Sequence, residues 1–270
     1  MQMTRRRPSP RLSALLDALQ ERGRYTFTRA EALKELRSTS EALEVAARRL
    51  AAKGRLAMPR RGFYVIVPAE YRSAGAPPPD WFIDDLMRFV GRPYYVGLLS
   101  AAALHGAAHH QPQEFQVLTD APLRPARAGR VRLRFFSKAT AGGTPTVAVK
   151  TQTGAMKVST PEATAIDLVR YVEGAGQLGN VATVLSDLGE RLDGRKLLAA
   201  ASEGVELPTL QRLGHLLEAV GAGSVARPLQ RWVAGRRPRR VLLRPSGPGP
   251  ILNEDRRWLV GVNESVEVER

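Results

Sequence analysis

At 270 residues the chain is long for one small domain and short for three, and its 43% hydrophobic content can build two cores. Cysteine is absent, which excludes disulfides, zinc–thiolate fingers and a cysteine nucleophile. A formal charge of +15, with arginine dominating the excess, points to a polyanionic partner, because the planar guanidinium fork suits phosphates and guanine edges.

Residues 1–9 read as a basic unstructured tail in which Arg5, Arg6 and Arg7 are candidate phosphate contacts. Pro8 and Pro10 follow the arginines where a cleavable signal needs an apolar core. The longest apolar run, Tyr94 to Leu104, is too short to cross a bilayer, so a cytoplasmic protein without a membrane partner is expected. Ser9-Pro10 fits a helix start, and Leu12, Leu15, Leu16 and Leu19 fall at helical spacing, which predicts a helix from about Pro10 to Arg22 closed by Gly23. Tyr25-Thr26-Phe27 reads as a short extended link.

Two helix starts follow in close succession. Thr28-Arg29-Ala30-Glu31 and Ser38-Thr39-Ser40-Glu41 both have the Ser/Thr-x-x-Glu spacing of a reciprocal helix cap. They predict one helix ending near Leu36 and a second reaching about Lys53, stopped by Gly54. Leu56-Ala57-Met58 and Phe63-Tyr64-Val65-Ile66 then flank a Pro59-Arg60-Arg61-Gly62 turn. Helix, turn, longer helix and basic-tipped hairpin is the order of a winged helix-turn-helix over residues 10–70. In the longer helix Leu43, Ala46, Ala47 and Leu50 share the inward face. Glu41, Val45, Arg48 and Ala52 take the opposite one, with Glu44 and Arg49 at its margins. A major-groove helix needs such a slim face with forked donors and a methyl-bearing side chain. Candidate DNA-binding residues are therefore Ser38, Thr39, Ser40, Glu44, Val45, Arg48 and Arg49, with Lys53, Arg60 and Arg61 anchoring the backbone. Glu41 is left open between capping its helix and accepting from a base.

Residues 71–79 read as an extended linker rich in alanine, glycine and proline, and 80–270 as a second domain. Asp80 is expected to cap a helix holding Trp81, Phe82, Ile83, Leu86, Met87 and Val90. Strands are predicted at 114–119, 131–136, 146–151 and 156–159, and helices at 160–172, 178–188, 194–201 and 208–220. The end reads as irregular and arginine-rich from Arg231 to Arg244. Arg236, Arg237, Arg239 and Arg240 there are further candidate phosphate contacts. The fold class expected is α/β (α+β): a winged helix joined to a mixed domain with a small antiparallel sheet and several helices.

Three chemical signals are weak. Gly174-Ala175-Gly176-Gln177-Leu178-Gly179 matches G-x-G-x-x-G but follows a helix rather than a strand, so it reads as a helix-to-helix turn. His105, His109 and His110 lack a nearby acidic ligand, and no metal or cofactor is expected. Asp84-Asp85, Glu162 and Asp167 have no partner within view, and no P-loop, nucleophile elbow or kinase signature occurs, so no catalytic residue and no enzyme is expected.

Several blocks together carry a family resemblance. Gly62-Phe63-Tyr64, the run Tyr94–Gly106 containing Ser100-Ala101-Ala102-Ala103-Leu104-His105-Gly106, and Ser159-Thr160-Pro161-Glu162 through Leu168 are among them. Arg212-Leu213-Gly214-His215-Leu216-Leu217-Glu218 and Arg256-Arg257-Trp258 with Val262-Asn263 complete the set. The chain resembles the AbiEi family, the antitoxin of abortive infection system E. The resemblance implies a repressor that binds inverted repeats of double-stranded operator DNA upstream of its own toxin–antitoxin operon. It also implies an antitoxin that counters a nucleotidyltransferase toxin without a stable complex. The residues themselves leave open direct neutralisation of a toxin by protein–protein binding, a stand-alone winged-helix regulator, and a monomer or a dimer on DNA.

Overall fold

The computed structural model describes residues 11–107, 112–202, 204–247 and 249–266. Arg5, Arg6, Arg7, His109 and His110 lie outside the described residues. The chain divides into two compact units. The first comprises residues 1–92, 124–134 and 149–156, and the second 93–123, 135–148 and 157–270.

The first unit contains the winged helix-turn-helix, with α1 (Leu12–Glu21), β1 (Thr26–Thr28), α2 (Arg29–Leu36), α3 (Ser40–Ala52), β2 (Leu56–Arg60) and β3 (Phe63–Ile66). The strands form an antiparallel sheet in the order β1-β3-β2. Leu12, Leu16 and Leu19 of α1, Ala32 and Leu36 of α2, and Leu43, Ala47 and Leu50 of α3 converge with Phe27, Leu56, Tyr64 and Ile66 in one core. Burying a leucine side chain contributes about 1.5–3 kcal/mol, so this helical spacing is what holds the three short helices together.

The Thr28 cap forms in full. Thr28 Oγ1 accepts from the Glu31 amide at 3.2 Å, and Glu31 Oε2 accepts from the Thr28 amide at 2.6 Å. The second cap is displaced by one residue from the expected Ser38. Thr39 is the N-cap of α3 and accepts from the Ala42 amide at 3.3 Å, while Ser38 Oγ donates to the Thr39 carbonyl. Arg37 at φ 46° ends α2 in the left-handed region, which moves the start of α3 along by that one position. The hairpin turn is also tighter than the sequence spacing implies. Arg60 is still paired with Phe63, leaving Arg61 and Gly62 as the turn, with Gly62 at φ 84°. Pro59, which has no N–H to give to a ladder, lies where the register shifts between Ala57 and Arg60.

Also in this unit, residues 71–79 are packed rather than extended. Arg130 N donates to the Ala74 carbonyl at 2.7 Å, and a Cβ on Gly129 would lie 2.3 Å from that same oxygen. Asp80 does not cap a helix: a 3-10 turn covers Pro79–Trp81, and α4 (Ile83–Val90) begins after Phe82 with no side-chain cap. Asp84 and Asp85 are held by Arg88, and Asp85 Oδ2 also accepts from Thr26 Oγ1 at 2.5 Å.

In the second unit, β4 (Tyr94–Val96) leads through Gly97 into α5 (Leu98–Leu104). The four strands expected from alternation are present as β5 (Phe115–Thr119), β7 (Val131–Ser137), β8 (Thr146–Thr151) and β9 (Gly154–Ser159). The structure adds β6 (Ala126–Ala128), whose residues belong to the first unit and pair antiparallel with the start of β7, and the strand order of the sheet is β6-β7-β5-β4-β9-β8. The sheet is larger than expected and mixed, since β4 pairs antiparallel with β5 but parallel with β9 at Val96↔Val158.

Next come α6 (Pro161–Arg170), α7 (Gln177–Gly189), α8 (Gly194–Ser202) and α9 (Leu207–Ala219). Helix α6 starts as expected, with Thr160 Oγ1 accepting from the Ala163 amide at 3.3 Å and Pro161 at the first helical position. It is buried on every side from Glu162 to Val169 and is the central helix of this core. The glycine-rich stretch is a helix-to-helix turn: Gly174 lies in a 3-10 turn and Gly176, at φ 80°, precedes α7.

Two features differ from the irregular C-terminal end expected. Helix α10 spans Gly223–Ala234 and buries Ala226, Leu229 and Val233, although Pro228 stands inside it. A small sheet of β10 (Val241–Leu242), β12 (Val260–Val262) and β11 (Asn253–Asp255) follows. Trp258 anchors this segment, 1% exposed, with its indole ring lying against Gly214 of α9. Gln211 Nε2 donates to the carbonyls of Arg239 and Trp258 at 2.9 and 2.8 Å.

Candidate nucleic-acid interface

The outer face of α3 is exposed as its 3.6-residue period requires. Glu41, Val45, Arg48, Arg49 and Ala52 are all solvent-facing, and Val45 is 46% exposed, high for a β-branched apolar side chain. Such a methyl-bearing side chain is of the kind that can pack against a thymine methyl. The Glu41 carboxyl is held below its ordinary value first by its own backbone amide and then by Thr39. Its charge is thus directed at the free amides of the helix start.

Beside α3 lies an open cleft of about 410 Å³ lined by Arg29, Glu44, Ala47, Arg48, Met58, Arg60, Arg61, Gly62 and Tyr64. It is built by three elements. The α3 backbone supplies Glu44, Ala47 and Arg48 at i, i+3 and i+4. The β2–β3 hairpin supplies Met58, Arg60, Arg61, Gly62 and Tyr64. The start of α2 supplies Arg29, whose amide donates to the Gly62 carbonyl at 2.8 Å and so fixes the wing tip to the helix. Glu44 lies 3.5 Å from Arg29 and 3.7 Å from Arg48. Arg60 donates to the Arg124 carbonyl, and burial, then the neighbouring Arg124 charge, lowers its pKa from the ordinary arginine value. Tyr64 stacks on Phe27 with centroids 4.9 Å apart. Its hydroxyl is pushed up by burial, with Arg29 opposing and Glu44 adding, so it stays a neutral donor.

Of the residues selected from sequence, Glu44, Arg48, Arg60 and Arg61 meet in this cleft. Val45 and Arg49 are exposed on α3 outside its lining. Thr39 and Ser40 stand at the start of that helix, Ser38 just before it, and Lys53 is exposed at its C-cap. Arg236, Arg237, Arg239 and Arg240 belong to the second unit, after α10. Arg236 stacks on Trp232 at 3.3 Å from the ring centroid, and Arg240 pairs with Glu254 at 2.5 Å. Sequence reasoning missed Arg29, Tyr64 and Met58. Arg29 was hidden inside the Thr28–Glu31 capping box, and only the Thr28↔Phe63 pairing brings it to the wing.

Other titratable groups are engaged structurally. In the second unit Lys138 Nζ lies 2.9 Å from Asp167 Oδ1, and Tyr95 OH donates to Asp167 Oδ2 at 2.6 Å. Glu162 Oε1 accepts from the Asp193 amide, and His105 Nε2 lies 2.7 Å from the Ser159 carbonyl. No helix among the described residues is long and apolar enough to cross a membrane.

No curated protein matches the chain. A crystal structure of RV2827C protein from Mycobacterium tuberculosis is similar over 94% of this chain and 93% of that one, with 18% identity and a TM-score of 0.65, a likeness of fold. Residues 14–67 match the family described as "Transcriptional regulator, AbiEi antitoxin", and residues 95–219 match "AbiEi antitoxin C-terminal domain". A regulator match on the winged helix and an antitoxin match on most of the rest converge on one assignment: the chain belongs to the AbiEi family of antitoxins and transcriptional regulators.

Proposed function

We propose that this protein is a non-enzymatic autorepressor that binds inverted repeats in the operator of its own toxin–antitoxin operon and counteracts a nucleotidyltransferase toxin. The observation that carries the DNA reading is the exposed α3 face of Val45, Arg48 and Arg49 beside the Arg60–Arg61 wing. In this reading Ser40, Val45, Arg48 and Arg49 approach base edges or phosphates, with Glu44 at their margin. Ser38, Thr39, Lys53, Arg60 and Arg61 position the duplex backbone. Arg236, Arg237, Arg239 and Arg240 add phosphate contacts. The winged helix is the domain of residues 10–70, and the antitoxin activity lies in 80–270.

The test is a mobility-shift titration of the full chain on the DNA upstream of its own gene. The triple variant Arg48→Ala, Arg60→Ala, Arg61→Ala is expected to lose the shift while keeping its fold, and retention of the shift contradicts the assignment. Co-expression with the neighbouring gene product separates the modes of antitoxin action. Rescue of growth without a co-purifying partner is the expected result, and a stoichiometric complex favours direct neutralisation.

A further inference from the structure

The cleft beside α3 has a charge arrangement that base reading does not require. Arg29, Arg48, Arg60 and Arg61 surround a single carboxylate, Glu44. Its two oxygens face two different guanidinium groups, Oε1 at 3.5 Å from Arg29 and Oε2 at 3.7 Å from Arg48. Both separations exceed a good charge-assisted hydrogen bond, so the carboxylate attracts both cations without being locked to either. Arg29 Nε is buried and has no acceptor within the protein, an uncommon state for a guanidinium N–H. Glu44 is half-buried on the cleft side of α3, whereas Val45, Arg48 and Arg49 are exposed. The Glu44 carboxylate thus lies between two arginines on the cleft side rather than on the fully exposed face where Val45 stands.

We propose that Glu44 is a charge clamp that holds Arg29 and Arg48 around a phosphodiester seat in this cleft and restrains their affinity for DNA of any sequence. The inference rests on the DNA-binding reading above. A phosphodiester entering the cleft meets donors from Arg29, Arg48, Arg61 and the neutral Tyr64 hydroxyl, and it meets the like charge of Glu44. Phosphate contacts attract every duplex equally, so a repulsive charge placed among them lowers non-specific binding and leaves discrimination to the exposed α3 face. Arg29 thereby becomes a phosphate ligand, and Glu44 a positioning residue acting through two arginines.

The experiment compares full-length wild type, Glu44→Gln and Arg29→Gln by fluorescence anisotropy. Each is titrated on the operator duplex and on an unrelated duplex of equal length, from about 50 to 200 mM salt. Glu44→Gln is expected to tighten both duplexes by roughly two- to fivefold, the scale of a solvent-accessible charge pair. It should also steepen the logarithmic salt slope by about 0.9, the value of one additional neutralised phosphate. Arg29→Gln is expected to weaken both duplexes alike and flatten the slope. Loss of operator affinity alone in Glu44→Gln, concentrated at one base pair, makes Glu44 a base reader and overturns the clamp. Unchanged affinities in Glu44→Gln overturn it too, while leaving DNA binding by the wild type intact. Wild-type protein that binds neither duplex overturns the DNA reading and the clamp with it.

Discussion

Single side chains in the second unit carry disproportionate weight. Asp167 is fully buried, and burial pushes its carboxyl above the ordinary value against the opposing pull of Lys138 and then Tyr95. Removing Lys138 leaves that carboxyl without its counter-charge. Lys138→Met is expected to cost about 3–5 kcal/mol in denaturant unfolding, and Lys138→Met with Asp167→Leu to regain most of it. A single variant as stable as wild type would contradict the pairing. Gly214 offers a second case. Alanine there would gain about 1 kcal/mol of helix propensity. Its Cβ, however, falls 2.2 Å from the buried Trp258 ring, and overpacking costs about 1–3 kcal/mol. Gly214→Ala is therefore expected to lower stability and shift tryptophan fluorescence, and a gain in stability would contradict the close approach. Neither contact was legible in the sequence. Asp167 and Gly214 could be seen to lie on helices, but their partners Lys138 and Trp258 stand 29 and 44 positions away and are brought in only by tertiary packing.

At the scale of the element, what could be read was what local chemistry determines. The Thr28 capping box, the leucine spacing of α1, the Thr160-Pro161 start of α6 and the strand alternation all use interactions within a few residues. The readings that changed were those decided by neighbours in space. The cap at Thr39 rather than Ser38 follows from the left-handed Arg37. Helix α10 forms although Gly221, Gly223 and Pro228 are local breakers, because the burial of Ala226, Leu229 and Val233 overrides them. The parallel pairing of β4 with β9 depends on a crossover that no local pattern encodes.

The cap itself has a testable pH signature. Burial pushes the Glu31 carboxyl up, but Arg24 and the Thr28 amide and hydroxyl more than offset it, leaving it below its ordinary value of 4.5. A carboxyl depressed by folding adds stability above its unfolded value, and that stability is lost as pH falls through the folded one. The thermal stability of the wild type should therefore fall as pH drops below about 4.5, and Glu31→Gln should flatten that dependence. Thr28→Ala is expected to cost about 1 kcal/mol at neutral pH. Identical acid profiles for wild type and Glu31→Gln would rule out the reciprocal cap as its source.

For the whole molecule, the net charge of +15 was the first indication of a nucleic-acid partner, and the winged helix gives part of that charge an address. Arg48 and Arg61 of the cleft are exposed beside an outward-facing valine. Four of the ten residues chosen from sequence for the winged-helix interface line this cleft. The periodicity of α3 and the charges of the hairpin were enough to find them. Arg29 and Tyr64 required the sheet pairing. The most direct test of the account is the affinity of the full chain for its own upstream DNA as a function of salt. If about six phosphates are neutralised, affinity should fall about a thousandfold between about 50 and 200 mM salt, with preference for the operator over unrelated DNA retained throughout. A flat salt response, or equal affinity for both DNAs at every salt concentration, would contradict it.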